Sequence, residues 1–195
     1  MVSATTSTNR TRQRSEVDIA MAETKTITIR KERFYDHSPE DVWTAITDAR
    51  ALAEWFEPNN HEPVVGHEFE FACDPSICGD SITECAVVEA DAPRRLVWRW
   101  VVVRRKPGCP KSQPMSIAWT LIPKDGRTKL VLEHSGAENI GWVHRNMMRV
   151  GWGYMMKKLI PRVLGNVVGG KFTPGAIPLH KRAYSCKTVS KKYVR

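Results

Sequence analysis

The stretch RRLVWRWVVV, Arg94 to Val103, decides how this chain is read. Alternation along it puts Leu96, Trp98, Trp100 and Val102 on one face and Arg99 on the other, because successive side chains of a strand leave opposite faces. A platform for stacking nucleic-acid bases needs aromatic and cationic groups together on one exposed face. Here the two are separated, so the tryptophans point to a buried wall and the arginine to solvent.

The neighbouring segments have the same texture. HEFEF places His67, Phe69 and Phe71 on one side and Glu68 and Glu70 on the other. SITECAVVEA follows, then the Arg94–Val103 run after the turn signal DAP, then MSIAWTLIP, then TKLVLEH after the turn DG. Five short runs joined by short connections predict an antiparallel meander rather than a parallel sheet. Upstream, TKTITIRKERF (Thr24–Phe34) sets Ile27 and Ile29 on one face and predicts one more strand, about six in all.

Between that first strand and the meander lies SPEDVWTAITDARALAEWF, Ser38 to Phe56. Ser38 suits an N-cap, Pro39 the first helical position, and Asp41 the first turn. Apolar Val42, Trp43 and Ile46, then Leu52, Trp55 and Phe56 beyond a break, predict two short helices. The last element is a long amphipathic helix starting near Gly141 to His144. Met148, Trp152, Met155, Leu159 and Val163 fall on one stripe, Pro161 is expected to kink or end the helix, and Gly165 to Gly170 to close it.

Charge divides unevenly. The net +9 is zero over residues 1–24 (three arginines, three acids) and +7 over 169–195, which hold seven Lys or Arg and no acid; the body keeps only +2. The predicted organisation is a disordered segment 1–24, one domain over 25–168, and a flexible basic tail over 169–195. Basicity confined to a tail argues against a specific nucleic-acid role for the body. No run approaches the roughly 18 apolar residues of a membrane span, and the start has no apolar signal segment, so a cytoplasmic protein is expected.

Cys73, Cys78, Cys85, Cys109 and Cys186 are odd in number and scattered, against a disulfide framework. With His61 and His67 they raise zinc, but the spacings C-x4-C and C-x6-C form no paired knuckle, and no metal is assigned. GWGYMM and VVGG lack the strand–loop–helix setting of a phosphate cradle, so no nucleotide cofactor is expected. Ser135 beside His134 is no triad, since sequence neighbours do not present a nucleophile to a base, and no catalytic set is assigned.

The order and spacing of these motifs resemble the START-like, helix-grip superfamily, specifically proteins similar to the carboxy-terminal domain of the activator of heat-shock-protein-90 ATPase. The resemblance rests on SPEDVWTAITDARALAEWF, the Gly66–Phe71 strand, APRRLVWRW, the MSIAWTLIP to TKLVLEHSG hairpin and the GW-containing final helix, and covers roughly residues 26–166. It implies an α+β fold in which the antiparallel sheet curves round the long C-terminal helix, with a hydrophobic cavity between them. That cavity would be lined from the sheet by Phe69, Phe71, Trp98, Trp100, Trp119 and His134, and from the helix by Met148, Trp152 and Met155. His134 shares parity with Leu130 and Leu132; a hydrogen-bonded structural histidine is the simpler expectation, an acid–base or ligand-orienting group the alternative. The implied function is binding of a small hydrophobic or amphipathic ligand. The alternatives are a cyclase- or hydrolase-like enzyme using the same cavity, and a co-chaperone-like module with a protein partner.

Overall fold

Each strand has one apolar face, and a sheet built from such strands must bury that face against something. The structure, a computed structural model, describes residues 26–72, 82–102 and 113–182. The strands are β1 (Ile29–Tyr35), β2 (Glu68–Ala72), β3 (Ile82–Asp91), β4 (Arg95–Val102), β5 (Met115–Lys124) and β6 (Arg127–Ser135). They form one antiparallel sheet in the order β1-β6-β5-β4-β3-β2. The meander is therefore as predicted, with the first strand added beside the last. A register shift between Val87 and Glu89 bends β3 and adds to the curvature. At the β5–β6 turn Asp125 and Gly126 both have positive φ, as a two-residue hairpin turn requires.

Helices α1 (Pro39–Thr47) and α2 (Ala49–Trp55) follow β1. Ser38 caps α1, its Oγ accepting from the Asp41 N–H at 3.2 Å, with Pro39 in the first turn. Asp48 ends α1 and caps α2, its Oδ1 accepting from the N–H groups of Arg50 (2.8 Å) and Ala51 (3.3 Å). The Asp48 N–H in turn reaches the Thr44 carbonyl, so one residue closes α1 and opens α2. Gly136, after β6, has φ +91°, and a Cβ there would lie 3.2 Å from the Met115 Cα, so the chain can leave the sheet here only with glycine.

The long C-terminal helix runs as α3 (Trp142–Tyr154), one π-helical turn (Met155–Leu159) and α4 (Ile160–Leu164). Pro161 does not end it. Proline has no N–H, so some carbonyl one turn earlier must lose its partner. The ladder shifts so that the Ile160 N–H reaches Met155 O, which would leave Met156 O facing Pro161; that carbonyl accepts the Tyr35 hydroxyl instead, at 2.7 Å. Burial pushes the Tyr35 pKa upward, keeping it a neutral donor.

The basic tail expected from Gly169 onward is instead packed as far as Arg182. β7 (Val167–Val168) pairs with β8 (Lys171–Phe172), and Phe172 and Ile177 are buried. Polar anchors hold this segment on the helices: Gly170 N–H to Asp41 Oδ1 at 2.7 Å, and Gly175 N–H, Ile177 N–H and Arg182 Nη2 to the buried Glu54 carboxylate at 2.6, 2.7 and 3.1 Å. A carboxylate so surrounded offsets its desolvation with charge-assisted bonds. Segments 1–24 and 183–195 lie outside the described residues, as do Cys73, Cys78, Cys109 and Cys186.

The sheet thus curves round the C-terminal helix in a helix-grip arrangement of the α+β class, as the resemblance implied. Among the described residues no helix is long and apolar enough to cross a membrane.

Candidate functional site

Between sheet and helix lies a layer of aromatic rings. Phe69 and Phe71 come from β2, Trp98 and Trp100 from β4, Trp119 from β5, His134 from β6 and Trp152 from α3, all buried. The structure brings these seven predicted residues into one connected network, while Met148 and Met155 are partly buried against the larger core that contains it. Arg99 lies on the opposite face near Glu68, so alternation along β4 separates ring from cation as expected. Buried in this way, Trp98, Trp100 and Trp119 offer no stacking surface to solvent.

Three members were not singled out from sequence: Trp55, Phe56 and His61. Trp55 and Phe56 close α2 and touch Trp119 (6.0 Å between ring centres) and Trp152 (5.4 Å) respectively. His61, in the loop before β2, sits 5.3 Å from Trp98 and 4.8 Å from Phe69. Trp55 and Phe56 already showed in the apolar pattern of α2; His61, in the sequence NNHEP, carried no periodic signal.

The layer has two different ends. At the first, His61 Nδ1 bonds the Thr47 carbonyl at 2.8 Å and Nε2 accepts from Trp98 Nε1–H at 3.1 Å, so both ring nitrogens are used. At the second, His134 Nδ1 accepts from Trp152 Nε1–H at 3.0 Å, but Nε2 has no partner among the described residues, nor has Trp100 Nε1. Burial lowers both histidine pKa values to about 4, so both rings are neutral near neutral pH. The expectation of a fully hydrogen-bonded His134 is therefore corrected: it is satisfied at one nitrogen only. The position that fits that expectation is His61.

At this second end four rings form a closed circuit: His134 to Trp100 (6.3 Å), Trp100 to Phe56 (5.7 Å), Phe56 to Trp152 (5.4 Å) and Trp152 back to His134 (6.0 Å). The helix above is lightly seated, for no residue from Trp142 to Gly151 is fully buried. A separate recess of about 130 Å³ lies by β2 and β3, lined by mainly polar groups such as Asn60, Glu70, Glu84 and Arg99. It is not the space between sheet and helix. Among the described residues no three His, Cys, Asp or Glu side chains are grouped to hold a metal ion.

A curved antiparallel sheet gripping a long C-terminal helix through an aromatic layer defines a START-like, helix-grip protein. More narrowly, the profile of the family described as "Activator of Hsp90 ATPase homolog 1-like protein" matches residues 36–163, and the chain belongs to that family. Protein MLL2253 from Mesorhizobium loti is similar, with 26% identity and a TM-score of 0.60 over 69% of this chain and 94% of that one. An HSP90 activator from Plasmodium falciparum shares the fold at 22% identity and TM-score 0.54, covering 71% of this chain and 96% of its own. The Aha1 dimer from Colwellia psychrerythraea does so at 16% identity and TM-score 0.54, covering 74% and 98%. No match is found among curated protein sequences.

Proposed function

We propose that this protein binds a small apolar or amphipathic molecule between the sheet and α3, at the His134 end of the aromatic layer. The observation that carries this reading is the pair of buried N–H groups, on Trp100 and His134, without partners among the described residues. Nearly all buried polar groups in folded proteins are hydrogen-bonded, and those that are not call for an explanation. Two side by side under a lightly seated helix fit a site whose polar end is supplied by a guest. Trp100, His134 and Trp152 would contact that guest directly, with Met148 and Met155 as adaptable cover from the helix side. Phe69, Phe71, Trp98 and Trp119 would form the wall behind.

His134 could also serve an enzyme of the cyclase or hydrolase type. With Nδ1 held by Trp152, only Nε2 could exchange a proton with a substrate. Native mass spectrometry of the protein purified from its own host, followed by denaturing extraction, tests the binding reading. A stoichiometric apolar molecule released unchanged supports a carrier, and a chemically altered product supports an enzyme. An empty protein that also fails to take up apolar probes removes the reading.

A second reading is favoured by one observation on the outer side of α3. Val143, Met147, Val150 and Tyr154 recur at intervals of four, three and four residues, each more than half exposed, with Trp142 beside them. Such a stripe suits a partner helix or groove. Since similar folds include an HSP90 activator, the partner of this reading is a heat-shock ATPase. Faster ATP hydrolysis on adding this protein, lost in Val150→Asp, would support it; no change would exclude it.

A further inference from the structure

We infer that the ligand of the His134 end presents a neutral carbonyl oxygen to the N–H groups of Trp100 and His134, on a flat apolar body. This rests on the binding reading above and adds to it the chemistry of the guest.

The tautomer carries the argument. An indole nitrogen can only donate, so Trp152 Nε1–H at 3.0 Å fixes His134 Nδ1 as the acceptor. A neutral imidazole has one proton, which must then sit on Nε2. Burial keeps the ring neutral, its pKa lowered to about 4. Trp100 Nε1 is likewise a donor and nothing else. Both unpartnered atoms at this end are thus donors, on rings 6.3 Å apart, and a hydroxyl or amine proton would find no acceptor in either. A carbonyl oxygen, with two lone pairs, can receive both.

Trp119 Nε1 also lacks a hydrogen-bond partner among the described residues, but its ring stands edge-on to Trp55 (85°) and Trp152 (83°). In such T-shaped contacts an N–H can rest on a neighbouring ring face. Trp100 has no such contact among the described residues; its ring pairs are tilted at 33°, 44° and 54°.

Charge selects a ketone over a carboxylate. No Lys or Arg among the described residues is fully buried with these rings. Lys31, whose ammonium lies beside Gly153 of α3, is only partly buried. A buried carboxylate without a buried cation is strongly disfavoured, whereas a neutral carbonyl gains both hydrogen bonds without that desolvation. A guest at this end would pack against Trp100, Phe56, Trp152 and His134, and a planar apolar body is the shape that aromatic rings pack against best.

The test is titration of the full-length protein with three matched probes, methyl naphthyl ketone, ethylnaphthalene and naphthoate, read by tryptophan fluorescence and by the indole ¹H–¹⁵N resonances. The ketone is expected to bind about tenfold tighter than the hydrocarbon. Naphthoate should bind more weakly than the ketone, and the Trp100 indole resonance should move with the ketone alone. In Trp100→Phe the ratio of ketone to hydrocarbon affinity should fall towards one. Should that variant not fold, the Trp100 resonance in the unmodified protein decides. Equal binding of ketone and hydrocarbon would overturn the carbonyl inference and leave the pocket standing. Tightest binding of naphthoate would also overturn it, pointing to recruitment of Lys31. Binding of none of the three would overturn both readings.

Discussion

Two buried histidines of this protein do the same first thing and differ in the second. His61 and His134 each accept a hydrogen bond from a tryptophan indole, at 3.1 and 3.0 Å, and burial lowers the pKa of each to about 4. His61 then spends its other nitrogen on the Thr47 carbonyl, one of the orphan carbonyls at the end of α1. His134 leaves its other nitrogen unpaired among the described residues. The first is a closed structural joint between helix, loop and sheet; the second is the same joint with one hand free. Identical residue types in identical burial therefore separate by bookkeeping of donors and acceptors, not by hydrophobicity.

The largest test of that comparison is acid. A histidine whose folded pKa is about 4 refuses a proton that the unfolded chain, with its ordinary value near 6.5, takes up. Stability is then complete above about pH 6.5, falls as the pH drops towards 4, and stops falling from this cause below it. Each histidine should contribute about 3 kcal/mol to that loss, so the pair together about 6 kcal/mol. Urea unfolding at a series of pH values should show an uptake approaching two protons near pH 5, reduced to about one in either His61→Leu or His134→Leu. A flat profile would mean that neither ring is as buried as described. Bound ketone should not abolish the His134 share, because its carbonyl requires the neutral ring.

The two leucine variants also sharpen the contrast at neutral pH, where proton uptake does not contribute. His61→Leu strands two buried groups, the Trp98 N–H and the Thr47 carbonyl, and should cost about 3–4 kcal/mol. His134→Leu strands only the Trp152 N–H while removing one donor that was already unpaired, and should cost about 1–2 kcal/mol. Equal losses in denaturant unfolding would erase the distinction between the two ends.

Much of this is legible in the sequence. Alternation marks the sheet because the larger buried apolar side chains gather on one face of each strand, even where a small outward residue such as Val97, Ala118 or Val131 is buried as well, and the same parity puts Trp98, Trp100 and His134 inside. Ser38-Pro39 and Asp125-Gly126 mark their cap and turn through local chemistry, which sequence records directly. What stayed hidden depends on partners distant in the chain. Residues 169–182 read as a basic tail because their few apolar groups and glycines have no period; Glu54, more than a hundred positions upstream, is what holds them. The π turn follows from Pro161 only when Tyr35 is there to take the freed carbonyl. In the sequence His61 suggests only a zinc ligand without a matching cysteine spacing, and its joint is not visible there, since neither Thr47 nor Trp98 is near it. The free nitrogen of His134 was invisible for the same reason: hydrogen-bond completeness belongs to the three-dimensional neighbourhood.

The indoles offer the next smaller effect. Trp98→Phe keeps a ring of similar shape in the wall but leaves the His61 Nε2 lone pair buried without its donor. A loss of about 2 kcal/mol is expected, from the unsatisfied acceptor and the lost ring volume. If thermal and denaturant unfolding showed no loss, the His61–Trp98 bond would not be holding the closed end together.

Trp100→Phe is the mirror of that change and should have the smallest effect on the empty protein. It too shortens a ring in the same strand, so the lost contacts should cost about 1 kcal/mol. Unlike Trp98, however, it removes a buried N–H that had no partner among the described residues, and deleting such a group returns about 1 kcal/mol. The two contributions oppose, and the net change should lie within about 1 kcal/mol of zero. Two substitutions of one residue type by another, two positions apart on one face of β4, should therefore differ mainly by the fate of a single proton donor. If Trp100→Phe destabilised as much as Trp98→Phe, the Trp100 N–H would have to be paired in solution, and the free hand of the His134 end would already be held.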